Sequence, residues 1–207
     1  MSKRIRIGAL LTVILLLFFS SNAFSQNLDI RILRSVNSPN RLPSDRLFQF
    51  VSNSEGFLVV GTPIVMGTVA LISHDDNLFR NSCVALSAVA LNSGITLAIK
   101  YSINRTRPFI TYPDITKKSA AGSPSFPSGH TSSAFSLATS LTLSYPRWFI
   151  IVPVYSWAGA VAFSRMDLGV HYPSDVLAGA MVGSGSALLT HYINKKLVIN
   201  EQKKTGR

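Results

Sequence analysis

The chain has 207 residues, of which 47% are hydrophobic and only 14% charged, and carries a formal net charge of +11. Soluble domains average about a quarter charged residues, so the basic balance argues for a membrane surface or an anionic substrate and against a nucleic-acid binder. A single cysteine excludes an internal disulfide and a thiolate metal site, and Cys83, inside an apolar run, reads as a buried small hydrophobe.

The amino terminus carries Lys3, Arg4 and Arg6, then an apolar run over 9–19 and small residues at Ala23 and Ser25. That order describes a secretory signal over 1–25, cleaved after Ser25, or, if retained, a signal-anchor helix. Residues 26–55 form an amphipathic segment. Ile30, Leu33 and Val36 recur at helical spacing, and Leu47, Phe50 and Val51 repeat the pattern beyond Pro39 and Pro43. Short helices lying in the membrane interface fit this pattern, as do helices packed on the rest of the domain.

Five apolar segments follow, near 56–73, 82–100, 131–146, 148–164 and 176–193. A bilayer span takes about 20 apolar residues, so these sit at the short end, and 131–146 is the weakest. Internal small residues such as Gly67, Gly159, Gly179 and Gly183 suit closely packed membrane helices. The segments define a helical core over 56–193 and leave a basic tail over 194–207. An exported amino terminus places that tail, Arg80 and Arg147 in the cytoplasm, as the positive-inside tendency requires. The 101–130 and 165–175 loops then face outward. Basic residues in 26–55 and 100–118 run against the charge rule; an anionic substrate accounts for the second group.

Three polar islands interrupt the apolar background, each at the outer end of a predicted helix. The first runs from Lys100 to Arg107-Pro108, the second is Pro127-Ser128-Gly129-His130, and the third runs from Ser164-Arg165 through His171 to Asp175. Cations near a bilayer are costly unless compensated, and guanidinium groups match phosphate oxygens. Lys100, Arg107 and Arg165 therefore read as phosphate ligands, whereas Arg105, Lys117 and Lys118 read as interfacial charges. Ser128 is a suitable helix cap, Gly129 lets a ligand approach the backbone, and the free N–H groups there bind anions. His130 then becomes a general acid. Pro173 opens the last helix, so Asp175 can accept a hydrogen bond from His171 and free its other ring nitrogen for attack on phosphorus. Asp167 has no partner in this scheme and reads as solvated; His74 and His191 fall at the opposite ends and read as non-catalytic.

Together the islands resemble the tripartite signature of the type 2 phosphatidic acid phosphatase (PAP2) superfamily, K-x6-RP, PSGH and SR-x5-H-x3-D, with every position matched across residues 100–175. The resemblance implies an all-α, membrane-embedded helical bundle of the PAP2/haloperoxidase type with five or six spans. It also implies metal-independent phosphoester hydrolysis with no cofactor. By that resemblance Lys100, Arg107 and Arg165 bind phosphate with help from Ser128 and Gly129, His130 is the acid, His171 is phosphorylated and Asp175 supports it. The expected substrate is a phospholipid or an isoprenoid phosphate, handled at the outer face of a bacterial-type cytoplasmic membrane. The rivals are a soluble secreted acid phosphatase or a vanadate-dependent haloperoxidase of the same superfamily, and a non-catalytic lipid-binding membrane protein.

Overall fold

A computed structural model of the chain describes residues 22–40 and 43–205. The apolar run over 9–19 lies outside these residues. Seven helices follow in order: α1 (Asn22–Val36), α2 (Pro43–Ser73), α3 (Asp76–Ile103), α4 (Pro108–Thr111), α5 (Gly129–Ser144), α6 (Trp148–Asp167) and α7 (Pro173–Thr205). The protein is all-helical among the described residues, as expected.

Helices α2, α3, α6 and α7 are long and apolar enough to cross a bilayer. Their large side chains point outward: Phe57 is 82% exposed and Ile72 77%, in helices whose composition would make such exposure untenable in water. The protein is a multi-pass membrane protein. The same outward display corrects the reading of Cys83, which is exposed on α3 rather than buried. In a membrane helix the apolar side chain meets lipid instead of core.

α5 differs from the other four. Its 16 residues span about 24 Å at the α-helical rise of 1.5 Å, short of the roughly 30 Å hydrocarbon layer. Eight of them are buried, five being Ser or Thr. By contrast only five of the 31 residues of α2 are buried. α5 is therefore the central helix, wrapped by α3, α6 and α7. It packs closest on α7, where a Cβ on Gly183 would stand 2.0 Å from the Ser132 carbonyl oxygen. Only glycine permits that approach.

Caps set where the helices turn. Asp75 caps α3, accepting from the N–H groups of Asn77 (3.0 Å) and Leu78 (2.9 Å). At the other end Asn104 adopts the left-handed conformation (φ 48°) and its N–H returns to the Lys100 carbonyl. Two turns, around His74 and Tyr145–Arg147, close one end of the bundle. The ends of α3 and α6 and the starts of α2, α5 and α7 gather at the other.

Two boundaries read from the sequence move. The amphipathic segment 26–55 is not a unit: α1 runs unbroken across Ser25, and residues from Pro43 onward are the first turns of α2. The basic tail is a continuation of α7. α1 is packed on the protein rather than laid on the membrane, since Ile30 and Leu33 are buried against Ile115 and Tyr172.

The α5–α7 contact gives a direct test. Gly183→Ala should destabilise the detergent-solubilised protein by about 1–3 kcal/mol or more through overpacking, lowering its melting temperature. Gly185→Ala, which meets nothing within 4 Å, should melt with the wild type.

Candidate active site

The end of α3 and the loop after it bring Lys100 and Arg107 together. Lys100 is buried on the last turn of α3, and its Nζ donates to the Pro124 carbonyl at 2.6 Å. Asn104 breaks the helix, and Arg107 takes the extended conformation that a following proline favours. Its Nε donates to the Ser123 carbonyl and its Nη1 to the Val170 carbonyl, both at 2.7 Å. Arg165, on the last turn of α6, is 2% exposed; its Nη1 donates to the Ser52 hydroxyl of α2, and its Nε has no hydrogen-bond partner among the described residues. All three cations rest on neutral acceptors, and none forms an ion pair among the described residues. Burying a charge without a counter-charge costs several kcal/mol, so the cluster is built for an anion.

His171 lies in the buried turn between α6 and α7. The chain leaves α6 through Gly169 (φ 70°), where a side chain would strike the Thr116 carbonyl, and the N–H groups of Val170 and His171 return to the Arg165 carbonyl. Nε2 of His171 lies 3.4 Å from Arg107 Nη1 and so faces the cations, whereas Nδ1 lies 3.5 Å from Asp175 Oδ2. The second distance is longer than the hydrogen bond expected of this pair; catalytic hydrogen bonds are often long before substrate binds. Burial pushes the His171 imidazole down to about 4, against the support of Asp175 and with Arg107 and Arg165 adding to the lowering. The ring is therefore neutral at physiological pH, with one nitrogen available as a nucleophile.

Asp175 is held by local helix chemistry. Pro173 opens α7, which puts Asp175 at the third helical position, and its Oδ2 accepts the Tyr172 N–H at 3.0 Å. That is the return half of a capping box. Ser128 ties the second island to the third through its N–H, which donates to the Asp175 carbonyl at 2.9 Å. Its hydroxyl does not cap α5 as expected; it accepts from Thr131 Oγ1 at 2.9 Å. The Gly129 backbone runs beside the Lys100 side chain. His130, half-buried on the first turn of α5, shares its electrostatic surroundings with Arg165, His171, Arg107 and Lys100. All eight residues picked out by the motifs thus lie at one end of the bundle.

The family profile described as the PAP2 superfamily matches residues 81–199, more than half of the chain. The chain belongs to the PAP2 superfamily. Among its relatives, a lipid A 4'-phosphatase of Bacteroides thetaiotaomicron is 34% identical over 80 residues, covering 39% of this chain and 36% of that protein. An undecaprenyl-diphosphatase of Sulfolobus acidocaldarius is 35% identical over 92 residues, 44% of each. The chain thus spans under half the length of these curated relatives. The fold is shared over more of the molecule. A crystal structure of a transmembrane PAP2-type phosphatidylglycerolphosphate phosphatase from Bacillus subtilis superposes with a TM-score of 0.73 at 23% identity, over 90% of this chain and 94% of that one. One of Aquifex aeolicus LpxE gives 0.68 at 23%, over 80% and 95%.

Around the PAP2 motif positions, three sequence expectations fail. Arg105 is not an interfacial charge: it pairs with Asp29 at 2.9 Å and Asp175 at 2.6 Å. Lys118 is buried, 2.9 Å from Asp45. Asp167 is 4% exposed, not solvated, and its Oδ2 has no hydrogen-bond partner among the described residues. Lys117 does stay exposed, over the Phe109 ring. Ser52, Asp29 and Ser125 escaped the sequence reading altogether, because each meets the site from a segment with no motif of its own. Glu55 is a fourth: it shares the electrostatic surroundings of Arg165 from within α2.

The neutral imidazole is testable in detergent by 15N-histidine NMR. His171 should stay uncharged from neutral pH down to about pH 5, gaining its proton only on further acidification. A His171 signal titrating near 6.5, the ordinary histidine value, would contradict the buried setting.

Proposed function

We propose that this protein is a metal-independent phosphatase that hydrolyses a phosphoester or diphosphate carried on a lipid, through a phosphohistidine at His171. The observation that carries this reading is the meeting of three buried cations outside any ion pair among the described residues with Nε2 of a neutral histidine, which lies 3.4 Å from Arg107. Lys100, Arg107 and Arg165 bind the phosphoryl oxygens, assisted by the Ser128 hydroxyl and the first-turn N–H groups at Gly129 and His130. The Ser128 N–H takes no part, being spent on Asp175.

His171 Nε2 donates its lone pair to phosphorus and the P–O bond to the leaving group breaks, while His130 protonates the departing oxygen. Asp175 holds Nδ1–H and stabilises the charge that develops on the ring. In the second half, His130 takes a proton from water, the water oxygen bonds to phosphorus and the N–P bond breaks, releasing inorganic phosphate. The balance of atoms needs only water, so no metal or cofactor enters the scheme.

A lipid substrate is supported by the lipid-facing belt around the pocket and by relatives named for lipid A and undecaprenyl diphosphate. Phosphatidic acid, phosphatidylglycerol phosphate, undecaprenyl pyrophosphate and lipid A phosphates all offer an anionic head on an apolar tail. Placement of the site at the periplasmic face is supported by Arg80, Arg147, Lys195 and Lys196, which belong to the opposite end and suit the cytoplasm.

Purified protein presented with these four lipids should release phosphate in the presence of chelator and be inhibited by vanadate. His171→Ala should abolish release while leaving membrane insertion intact; full activity in that variant would sink the phosphohistidine reading. His130→Ala should slow lipid hydrolysis by about 10²–10⁴-fold, and less for p-nitrophenyl phosphate, whose leaving group needs little protonation.

A further inference from the structure

Arg105 lies inside the first motif but at none of its fixed positions. Its Nη1 donates to Asp175 Oδ1 at 2.6 Å and to Ser174 Oγ at 2.7 Å, and its Nη2 donates to Asp29 Oδ2 at 2.9 Å. The guanidinium carbon sits 3.9 Å from the centroid of the Tyr172 ring. Asp29 comes from α1 and does a second job: its Oδ1 accepts the Ser174 N–H at 2.9 Å, and its Oδ2 the Ser174 hydroxyl. It thereby caps the first turn of α7 from outside that helix. One carboxylate of α1 thus fixes both Arg105 and the turn that presents Asp175.

The two oxygens of Asp175 have separate duties. Oδ2 accepts from the Ser125 hydroxyl and the Tyr172 N–H and faces His171 Nδ1; Oδ1 receives Arg105. Donors on both oxygens fix the plane of the carboxylate more tightly than donors on Oδ2 alone. Arg105 also supplies counter-charge to a side chain that is 0% exposed. It is not itself poised for a phosphate. Arg105, Asp29 and Asp175 sum to one negative charge, whereas Lys100, Arg107 and Arg165 form no direct ion pair among the described residues and feel Asp175 and Glu55 only at longer range.

We infer that Arg105 is a positioning residue for phosphoryl transfer, acting through Asp175 on the orientation of His171, with Asp29 of α1 as its anchor. This rests on the phosphohistidine reading above. It extends the working site beyond the three motifs, to a helix that carries no motif residue. A cavity of about 220 Å³ borders Arg105, Thr106, Thr111, Tyr112 and Tyr172; an Arg105 that bound substrate phosphate would do so there. The two roles predict different kinetics.

The test compares Arg105→Ala, Arg105→Lys, Asp29→Asn and Lys100→Ala with the wild type, on phosphatidic acid in mixed micelles, with vanadate as the probe of the anion pocket. Arg105→Ala should lower kcat by about 10–100-fold, as loss of a partner that orients a reacting group does. Its KM and vanadate inhibition constant should stay within about threefold of wild type. Millimolar guanidinium should restore part of the lost rate. Arg105→Lys and Asp29→Asn should fall between Arg105→Ala and wild type. Lys100→Ala should instead weaken vanadate by about tenfold or more, as loss of a charged phosphate contact does.

An unchanged kcat in Arg105→Ala would return the residue to a structural role. A vanadate constant that rises in step with the loss of kcat would make it a phosphate ligand; either result overturns the proposal. If Arg105→Ala does not fold, Arg105→Lys and Asp29→Asn decide by the same split of kcat against vanadate affinity. Failure of the parent reading is visible without these variants, as an inactive wild type or an active His171→Ala.

Discussion

Three positive charges are packed together at the end of a membrane bundle, and none is ion-paired with a carboxylate among the described residues. Lys100, Arg107 and Arg165 repel one another and have lost most of their water, and each is tethered only to carbonyl or hydroxyl oxygens. A fold that holds such a cluster must spend interactions from several elements to do so. The 123–125 loop, the turn before α7 and the middle of α2 all donate acceptors to these cations. An oxyanion entering among these cations would gain favourable energy, as the proposed phosphate chemistry requires. Little reorganisation is then left for the moment of reaction.

The other cations at this end are treated differently. Arg34 pairs with Asp114, Lys118 with Asp45, and Arg105 with both Asp29 and Asp175. These pairs neutralise within the protein much of the basic charge that collects at this end of the bundle. They also divide this end of the bundle into two electrostatic zones. One is compensated and structural, and it fastens α1 and the 112–118 loop to the bundle. The other holds Lys100, Arg107 and Arg165, buried and outside any ion pair among the described residues.

The relative placement of the two histidines depends on how closely α5 approaches α7. Gly183 lets the backbones meet near Ser132, and Ser128 donates its N–H to the carbonyl of Asp175. That single backbone bond links the helix start carrying His130 to the helix start supporting His171. Both catalytic candidates therefore sit on helix termini clamped to each other rather than on free loops, and α5 can be short because the surrounding spans cover it. The belt of exposed apolar side chains fits the lipid substrate proposed above.

The sequence by itself determined the apolar helices, the three chemical islands and the eight motif residues, which the fold gathers at one end of the bundle. These were legible because hydrophobic run length and motif spacing are local properties, and because the chemistry of Lys, Arg and His does not depend on neighbours being known. Tertiary structure alone decided which other residues serve the site. Arg105 looked like a surface charge until Asp29, 76 residues earlier, and Asp175, 70 residues later, were seen to hold it. Asp29 reaches Ser174 across 145 residues, and Ser52 reaches Arg165 across 113. Burial also reversed two local readings, turning Cys83 outward to lipid and Asp167 inward. A partner so distant leaves no period or spacing in the chain, and which side of a helix faces lipid is settled only when the neighbouring helices take their places.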